Sequence, residues 1–258
     1  MRTDIKQVIS IAGFDPTGGA GILADIKTFE QTGVYGFGVC SAITLQTEDE
    51  FKGVAWIPLH QIELQLDTLL KKYEVEFLKI GLIQSFEVLD QLVEAIRRKY
   101  PHVKIIWDPI LRASAGFQFH EEADENLVHE ILSQLFLVTP NSDEAKRLMH
   151  AEEALQGAKG MGRFTNVFLK SYSHLQRDHC DVLIEHGREH FFKTEMLSDL
   201  RKHGSGCVLS AAITASLAKG LNLKSSCEAA KAYTFEFLRS SEGLLGNHYR
   251  IKLISEHA

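Results

Sequence analysis

Two rhythms of apolar residues alternate along this chain. Short, nearly continuous runs rich in Ile, Val and Leu predict buried strands. Longer stretches with apolar positions three and four apart predict helices packed through one face. The run Gln7 to Ala12 predicts the first strand, which stops at Gly13. A glycine-dense connection, Phe14 to Gly21, leads into a helix from about Ile22 to Thr32. Ile22, Ile26 and Phe29 fall near one face of it, and Gly33 is placed to cap its C-terminus. Val34 to Leu45 and Gly53 to Leu59 predict strands, and Gln61 to Lys72 an amphipathic helix that turns Ile62, Leu66, Leu69 and Leu70 inward. Strand Phe77 to Ile83 precedes helix Phe86 to Tyr100, which Pro101 stops. Strand Lys104 to Ile110, helix Glu122 to Gln134, strand Leu135 to Thr139 and a helix from Asp143 to His150 follow. After strand Asn166 to Lys170, the segments Cys180 to His186 and His190 to Thr194 predict a hairpin turning at Gly187 and Arg188. An Ala-rich helix then starts at Gly204-Ser205-Gly206 and stops at Gly220, and Ser225 to Leu238 predicts the last helix.

Strand and helix in repeated alternation, with one late hairpin, predict an α/β fold whose largely parallel sheet is covered on both faces. The chain shows no linker-like composition shift, internal repeat or low-complexity segment, so one domain over residues 1–258 is expected. Ligands of open parallel sheets bind beyond the C-terminal ends of the strands. Asp15, Gly18, Gly19, Asp108, Asn141, Lys170 and the loop at Gly204 to Gly206 all fall at such ends.

Composition narrows the function. With 45% apolar and 24% charged residues, the chain reads as an ordinary water-soluble protein. A net charge of −6 and a pI near 6.1 do not fit the basic stripe of a nucleic-acid binder. No apolar run reaches the length of a membrane span, and the charged stretch from Met1 to Ile5 has no signal-peptide segment, so no membrane partner is expected. Cys40, Cys180, Cys207 and Cys227 lie far apart without a Cys-x-x-Cys pair, which predicts free thiols in a reducing, cytoplasmic setting.

The candidate chemistry gathers at the loops. Gly204, Ser205 and Gly206 precede a helix whose first-turn N–H groups lack partners within the helix. They can cradle an anion. Cys207 sits in the same turn, where the helix dipole is expected to lower its pKa. The plainer reading is a helix start capped by Ser205. Gly18-Gly19-Ala20-Gly21 is neither a P-loop nor Gly-x-Gly-x-x-Gly, and it serves close packing as readily as binding. Asp108, before Pro109, can be a metal-side carboxylate or a turn former. Asn141 and Glu144 form a capping box or flank a magnesium-bound phosphate. Lys170 is a phosphate cation or a solvated strand end, and Gln46 a reader of heterocycles or a loop residue.

Taken together, these motifs resemble a known family. The stretch Ile11-Ala12-Gly13-Phe14-Asp15-Pro16-Thr17-Gly18-Gly19-Ala20-Gly21, continuing to Phe29, is similar to the N-terminal motif of the hydroxymethylpyrimidine/phosphomethylpyrimidine kinases. Lys79-Ile80-Gly81, Asp108-Pro109, Thr139-Pro140-Asn141 with Glu144, and His203-Gly204-Ser205-Gly206-Cys207 follow in the family's order, over roughly residues 7 to 240. The resemblance implies a ribokinase-like three-layer α/β/α sandwich with a mostly parallel central sheet, often dimeric. It implies phosphorylation of 4-amino-5-hydroxymethyl-2-methylpyrimidine and of its monophosphate by ATP and Mg²⁺ in thiamine biosynthesis; some relatives act on pyridoxal or pyridoxine. Position by position it implies Cys207 as the catalytic cysteine, with Gly204, Ser205 and Gly206 as the anion hole. Gly13, Asp15, Ala20 and Gln46 would then bind the pyrimidine, Asp108 and Glu144 would sit at the magnesium, and Asn141 and Lys170 at the nucleotide. Lys202 stands where the family usually has Thr, and is read as a further phosphate cation. The chain also departs from the pattern at Ser171 and Tyr172, where the family usually has two glycines, and between Glu152 and Phe164, which looks shortened. A binder without catalysis, its nucleotide side altered, is the alternative from another class.

Overall fold

The computed structural model describes residues 5–112, 116–119, 124–174, 177–193 and 201–249, with the backbone alone at 173–174 and 177–179. A nine-stranded sheet runs in the order β3-β2-β1-β4-β5-β6-β7-β8-β9. Its strands are β1 (Gln7–Phe14), β2 (Tyr35–Gln46), β3 (Phe51–Trp56), β4 (Phe77–Ile80), β5 (Lys104–Trp107), β6 (Leu137–Val138), β7 (Asn166–His174), β8 (Arg177–Glu185) and β9 (Arg188–Lys193). The run from β2 through β1, β4, β5 and β6 to β7 is parallel.

Period-two burial builds the layers. Ile9, Ile11, Leu78, Ile80, Ile105, Trp107, Val138, Val167 and Leu169 face one apolar core. The residues between them, Val8, Phe77, Ile106, Leu137 and Phe168, face the other. Strands buried on both sides need such continuous apolar runs. The first core is covered by α2 (Leu59–Leu70), α3 (Phe86–Lys99), α4 (Glu125–Ser133), α5 (Ser142–Leu148) and α6 (Ala154–Met161). The second is covered by α1 (Gly21–Thr32), α7 (Ser205–Ala218) and α8 (Leu223–Leu238). This is the expected α/β/α arrangement. Every residue of α7 from Cys207 to Ala218 is buried, which its small side chains permit between the sheet, α1 and α8. Among the described residues no helix is long and apolar enough to cross a membrane.

Several boundaries differ from expectation. A second hairpin exists: β2 and β3 pair antiparallel at the sheet edge, and β3 ends at Trp56 because Pro58 opens α2. The late hairpin is part of a longer antiparallel run, β7-β8-β9, turning at His186 and Gly187. Glu122 and Thr194, expected element ends, lie outside the described residues. Helix α6 has no counterpart in the sequence reading. Two glycines, Gly157 and Gly160, hide it, since glycine disfavours helices. Gly157 is there for contact: a Cβ would fall 2.3 Å from the Ala145 carbonyl oxygen of α5.

Beneath the C-terminal strand ends lies an ion pair with no exposure to water. Lys79 of β4 donates to Asp25 Oδ1 of α1 at 2.6 Å, both side chains being 0% exposed, and Ser10 Oγ of β1 donates to Asp25 Oδ2 at 2.5 Å. Burial works to lower the Lys79 pKa, but the Asp25, Cys207 and Asp108 side chains outweigh it and hold the ammonium charged. Removing one partner leaves a buried charge alone, which typically costs about 3–5 kcal/mol. Lys79→Met is expected to lose that much in urea unfolding, and Asp25→Leu/Lys79→Met to recover at least half of it. A Lys79→Met loss below about 1 kcal/mol would show that the pair is not what holds α1 to the sheet.

Candidate active site

The parallel strands end along one rim, and there a cavity of about 780 Å³ opens. Its walls bring together residues far apart in the chain: Gly13, Asp15 and Ala20 from the β1–α1 loop, Gln46 from the end of β2, and Asp108 after β5. Asn141 and Glu144 at the start of α5, Lys170 of β7, and Gly204 to Cys207 complete it. Each predicted site residue except Lys202 lines this space. Thr44, Arg112, Gln118, Phe119 and Arg147 line it as well and carry no sequence motif that would have singled them out. Phe119 is fixed against the β2–β3 hairpin, with its ring edge-on to Phe51 at 5.2 Å.

The loop at Gly204 to Gly206 opens a helix as expected, with one change at its cap. Gly204, not Ser205, is the N-cap, at φ 72, and Ser205 is the first helical residue, with no side-chain cap bond at this end. A Cβ on Gly204 would fall 2.1 Å from the Gly19 carbonyl oxygen, so the two glycine loops touch backbone to backbone. Ser205 N–H already donates to the Lys202 carbonyl at 3.3 Å. The first-turn donors aimed past the helix start are then those of Gly206 and Cys207.

The thiol differs from expectation in its charge state. Burial pushes Cys207 up to about 11; Lys79 opposes this, while Asp25 and Asp108 add to it. The helix dipole is a local effect, and here desolvation and two nearby carboxylates exceed it.

The carboxylates are held by different partners. Asp108 Oδ1 accepts from Lys170 Nζ at 2.6 Å and Thr139 Oγ1 at 3.0 Å, and Oδ2 accepts from Ser210 Oγ at 3.0 Å. Burial would raise its pKa, but Lys170, Lys79 and these hydrogen bonds hold it below the usual carboxylate range. Glu144 completes a capping box: Asn141 Oδ1 accepts from Glu144 N–H at 2.9 Å, and Glu144 Oε2 accepts from Asn141 N–H at 2.7 Å. The capping reading is realised, and both residues also line the cavity. Burial pushes the Glu144 carboxyl up to about 7, against the pull of Lys170 and with the help of Asp108.

Asp15 lines the cavity, and its oxygens also bind its own loop and His203. Oδ1 accepts from Thr17 N–H at 2.9 Å, and Oδ2 accepts from Ala20 N–H and His203 Nε2 at 2.8 Å each. Burial would raise its pKa, but His203, Thr17 and Ala20 hold it down. Its carboxylate shapes the loop from the cavity wall. Lys202 is not in the wall. Its buried ammonium donates to the carbonyls of Ser241 and Gly243, so it braces the chain behind the anion loop instead of meeting a phosphate.

The departure after Lys170 lies inside β7, which runs on to His174, and not in a turn. Ser171 has φ +53, the left-handed region. Lys170 stays at the cavity, 3.4 Å from where a Gly206 Cβ would stand. Among the described residues no three His, Cys, Asp or Glu side chains converge as a metal cage. The oxygen donors of Asp108 and Glu144 suit a hard cation that completes its shell with water and phosphate oxygens.

A sequence profile described as phosphomethylpyrimidine kinase matches residues 15–252. The hydroxymethylpyrimidine/phosphomethylpyrimidine kinase of Haemophilus influenzae is 33% identical over 245 residues, 90% of each chain. That of Aquifex aeolicus is 30% identical over 252 residues, 94% of this chain and 98% of its own. Among solved structures, phosphomethylpyrimidine kinase from Clostridium difficile superposes with TM-score 0.75 at 29% identity, covering 90% of this chain and 98% of its own. An ADP complex of Bacillus subtilis pyridoxal kinase superposes with TM-score 0.80 at 26% identity, covering 93% and 94%.

The raised Glu144 carboxyl has a stability signature. Its folded pKa of about 7 exceeds its ordinary 4.5, so folding takes up a proton between these values. Its contribution to stability therefore falls as pH rises through that window and is level above it. Glu144→Gln keeps an oxygen for the Asn141 N–H and removes the titration. Urea midpoints without nucleotide or metal are expected to show the variant gaining up to ~3 kcal/mol on wild type near pH 8, and little near pH 4. Equal shifts at both pH values would contradict this.

Proposed function

The chain belongs to the phosphomethylpyrimidine kinase family, and on that premise we propose that it transfers the γ-phosphoryl group of ATP to 4-amino-5-hydroxymethyl-2-methylpyrimidine, and then to the monophosphate, in thiamine biosynthesis. The observation that carries this reading is the single cavity in which the β1–α1 loop, Gln46, the Asp108–Lys170–Glu144 cluster and the anion loop meet. Mg²⁺, one domain over residues 1–258, a homodimer and a cytoplasmic location are finer parts of the same proposal.

Phosphoryl transfer needs alignment and charge neutralisation more than covalent help. The pyrimidine would lie against Gly13, Ala20 and Gln46, with its hydroxymethyl group toward Cys207. Gln46 can donate to and accept from a heterocycle. The N–H groups of Gly206 and Cys207, with Lys170 beside them, would hold the transferred phosphoryl group as its charge spreads in the transition state. Asp108 and Glu144 would hold Mg²⁺, which neutralises phosphate charge when bound. The buried thiol keeps its proton in the free protein, and Lys79 is the neighbour that favours its thiolate. To accept the proton that leaves the hydroxyl, Cys207 would first release its own to solvent, giving the thiolate that Lys79 favours.

Two measurements test this. Purified protein with Mg-ATP is expected to release ADP with hydroxymethylpyrimidine and with its monophosphate, at higher kcat/KM than with pyridoxal. Because a pyridoxal kinase shares 26% identity and the fold, that vitamin is the informative competitor. A reversed order of kcat/KM would move the chain to the pyridoxal branch, and pyrimidine binding without nucleotide binding in calorimetry would make it a binder. Separately, Cys207→Ala is expected to lower kcat about 10²-fold with little change in pyrimidine KM, as for a group acting at the proton in the transition state. An unchanged kcat would leave the loop with only its anion hole.

A further inference from the structure

The residue just before the anion loop is tied to the neighbouring β1–α1 loop. His203, 5% exposed, reaches across to Asp15, 1% exposed, and its Nε2 lies 2.8 Å from Asp15 Oδ2. Asp15 is held below the usual carboxylate range, so Nε2 is the donor and carries the hydrogen. Nδ1 is buried without a partner. An orphaned buried nitrogen is costly, and such atoms persist where the rest of the group has a task. On the same oxygen Asp15 receives Ala20 N–H at 2.8 Å, and on the other Thr17 N–H at 2.9 Å, so this carboxylate sets the whole curve of the β1–α1 loop. Steric contact reinforces the tie: a Cβ on Gly19 would fall 2.7 Å from His203 Cδ2. From the far side, His203 N–H donates to the Leu244 carbonyl at 2.9 Å.

We propose that the His203–Asp15 hydrogen bond is a latch that couples the pyrimidine-side loop to the anion loop, which makes His203 a positioning residue for phosphoryl transfer. A ligand resting on Gly13 and Ala20 orders the loop that Asp15 organises. Through His203 that loop sets the position of the donors at Gly206 and Cys207. Misplacing reacting groups by about 1 Å can cost on the order of 10²-fold in rate. The kinetic arm of the test rests on the kinase reading above; the two structural arms do not.

Nitrogen-15 NMR of histidine-labelled protein is expected to show a proton on His203 Nε2. In His203→Phe, amide exchange is expected to rise about 10-fold or more in both loops, at residues 15, 17–20 and 204–207, and kcat to fall about 10²-fold. His203→Gln can place an amide N–H near the Nε2 position, and is expected to recover most of both effects. A general structural role would lower thermal stability without that shared, Gln-rescued change. Should His203→Phe fail to fold, Asp15→Asn, which keeps the side-chain shape, carries the same expectations. The proposal is overturned if Nε2 carries no proton, if exchange rises in one loop or neither, or if Gln rescues no better than Phe. A wild-type protein inactive on every alcohol would sink the kinase reading and leave the latch to be judged on exchange and NMR alone.

Discussion

A lysine and an aspartate with no contact with water set the terms for the site above them. Lys79 and Asp25 are 2.6 Å apart with no exposure, and Ser10 takes the remaining carboxylate oxygen. Taking two charges out of water is expensive, and the pair persists only because neither can be left alone. That requirement joins α1, β1 and β4 in one place. From it, charge alternates outward: Asp25, Lys79, Asp108, Lys170, Glu144. Lys170 is matched to Asp108 at 2.6 Å, and Glu144, last in the sequence, has its carboxyl pushed up to about 7 because burial is not fully offset there. Glu144 is thus the member of the series whose charge is least secured, and a hard cation bound beside it would favour its ionised form. Cys207 lies inside this field, which is why its thiol follows burial and its carboxylate neighbours rather than the helix dipole.

Backbone proximity is the second constraint, and it follows from the first. With α1 drawn onto the sheet by Asp25, the start of α1 crowds the end of β1: a Cβ on Gly21 would fall 2.1 Å from the Gly13 carbonyl oxygen. The β1–β2 register shifts between Ala12 and Gly13, beside this contact. Gly204 meets Gly19 at the same 2.1 Å. Only glycine tolerates both these distances and the left-handed φ of 60 at Gly21 and 72 at Gly204. The small residues of α7 belong to the same packing, because that helix is buried on every side.

Features whose cause is local in the chain were legible in the sequence. The strand runs, the αL cap at Gly33, the Asn141–Glu144 capping box and the glycine loops all follow from neighbouring residues. Features whose cause is distant were not. Lys202 looks like a free cation until the carbonyls of Ser241 and Gly243, some forty residues on, close around it. Asp15 reads as a ligand-seeking carboxylate, but His203 lies 188 positions away and takes part of it. The thiol's charge state depends on burial, and the antiparallel pairing of β3, itself expected as a strand, on its place at the sheet edge; neither leaves a mark at its own position. Helix α6 was obscured because close approach to α5 demanded glycine where helix propensity disfavours it.

Ser171 shows how tertiary structure can substitute for a motif. A serine at φ +53 is strained, since left-handed backbone places Cβ close to a carbonyl, at a cost of about 1–2 kcal/mol. The strain is offset from outside. Ser171 N–H donates to Asp181 Oδ1 at 2.7 Å, and its carbonyl accepts from Ser142 Oγ at 3.2 Å. Asp181 is in turn held by Lys231 of α8. A break in the β7–β8 register between Leu169 and Tyr172 leaves room for this conformation inside the strand. A glycine at 171 would adopt it without help. Here β8, α5 and α8 impose it, and Lys170 stands in the cavity wall beside Gly206. Ser171 presents a side chain to solvent where a glycine would present backbone, while Tyr172 is buried in the core.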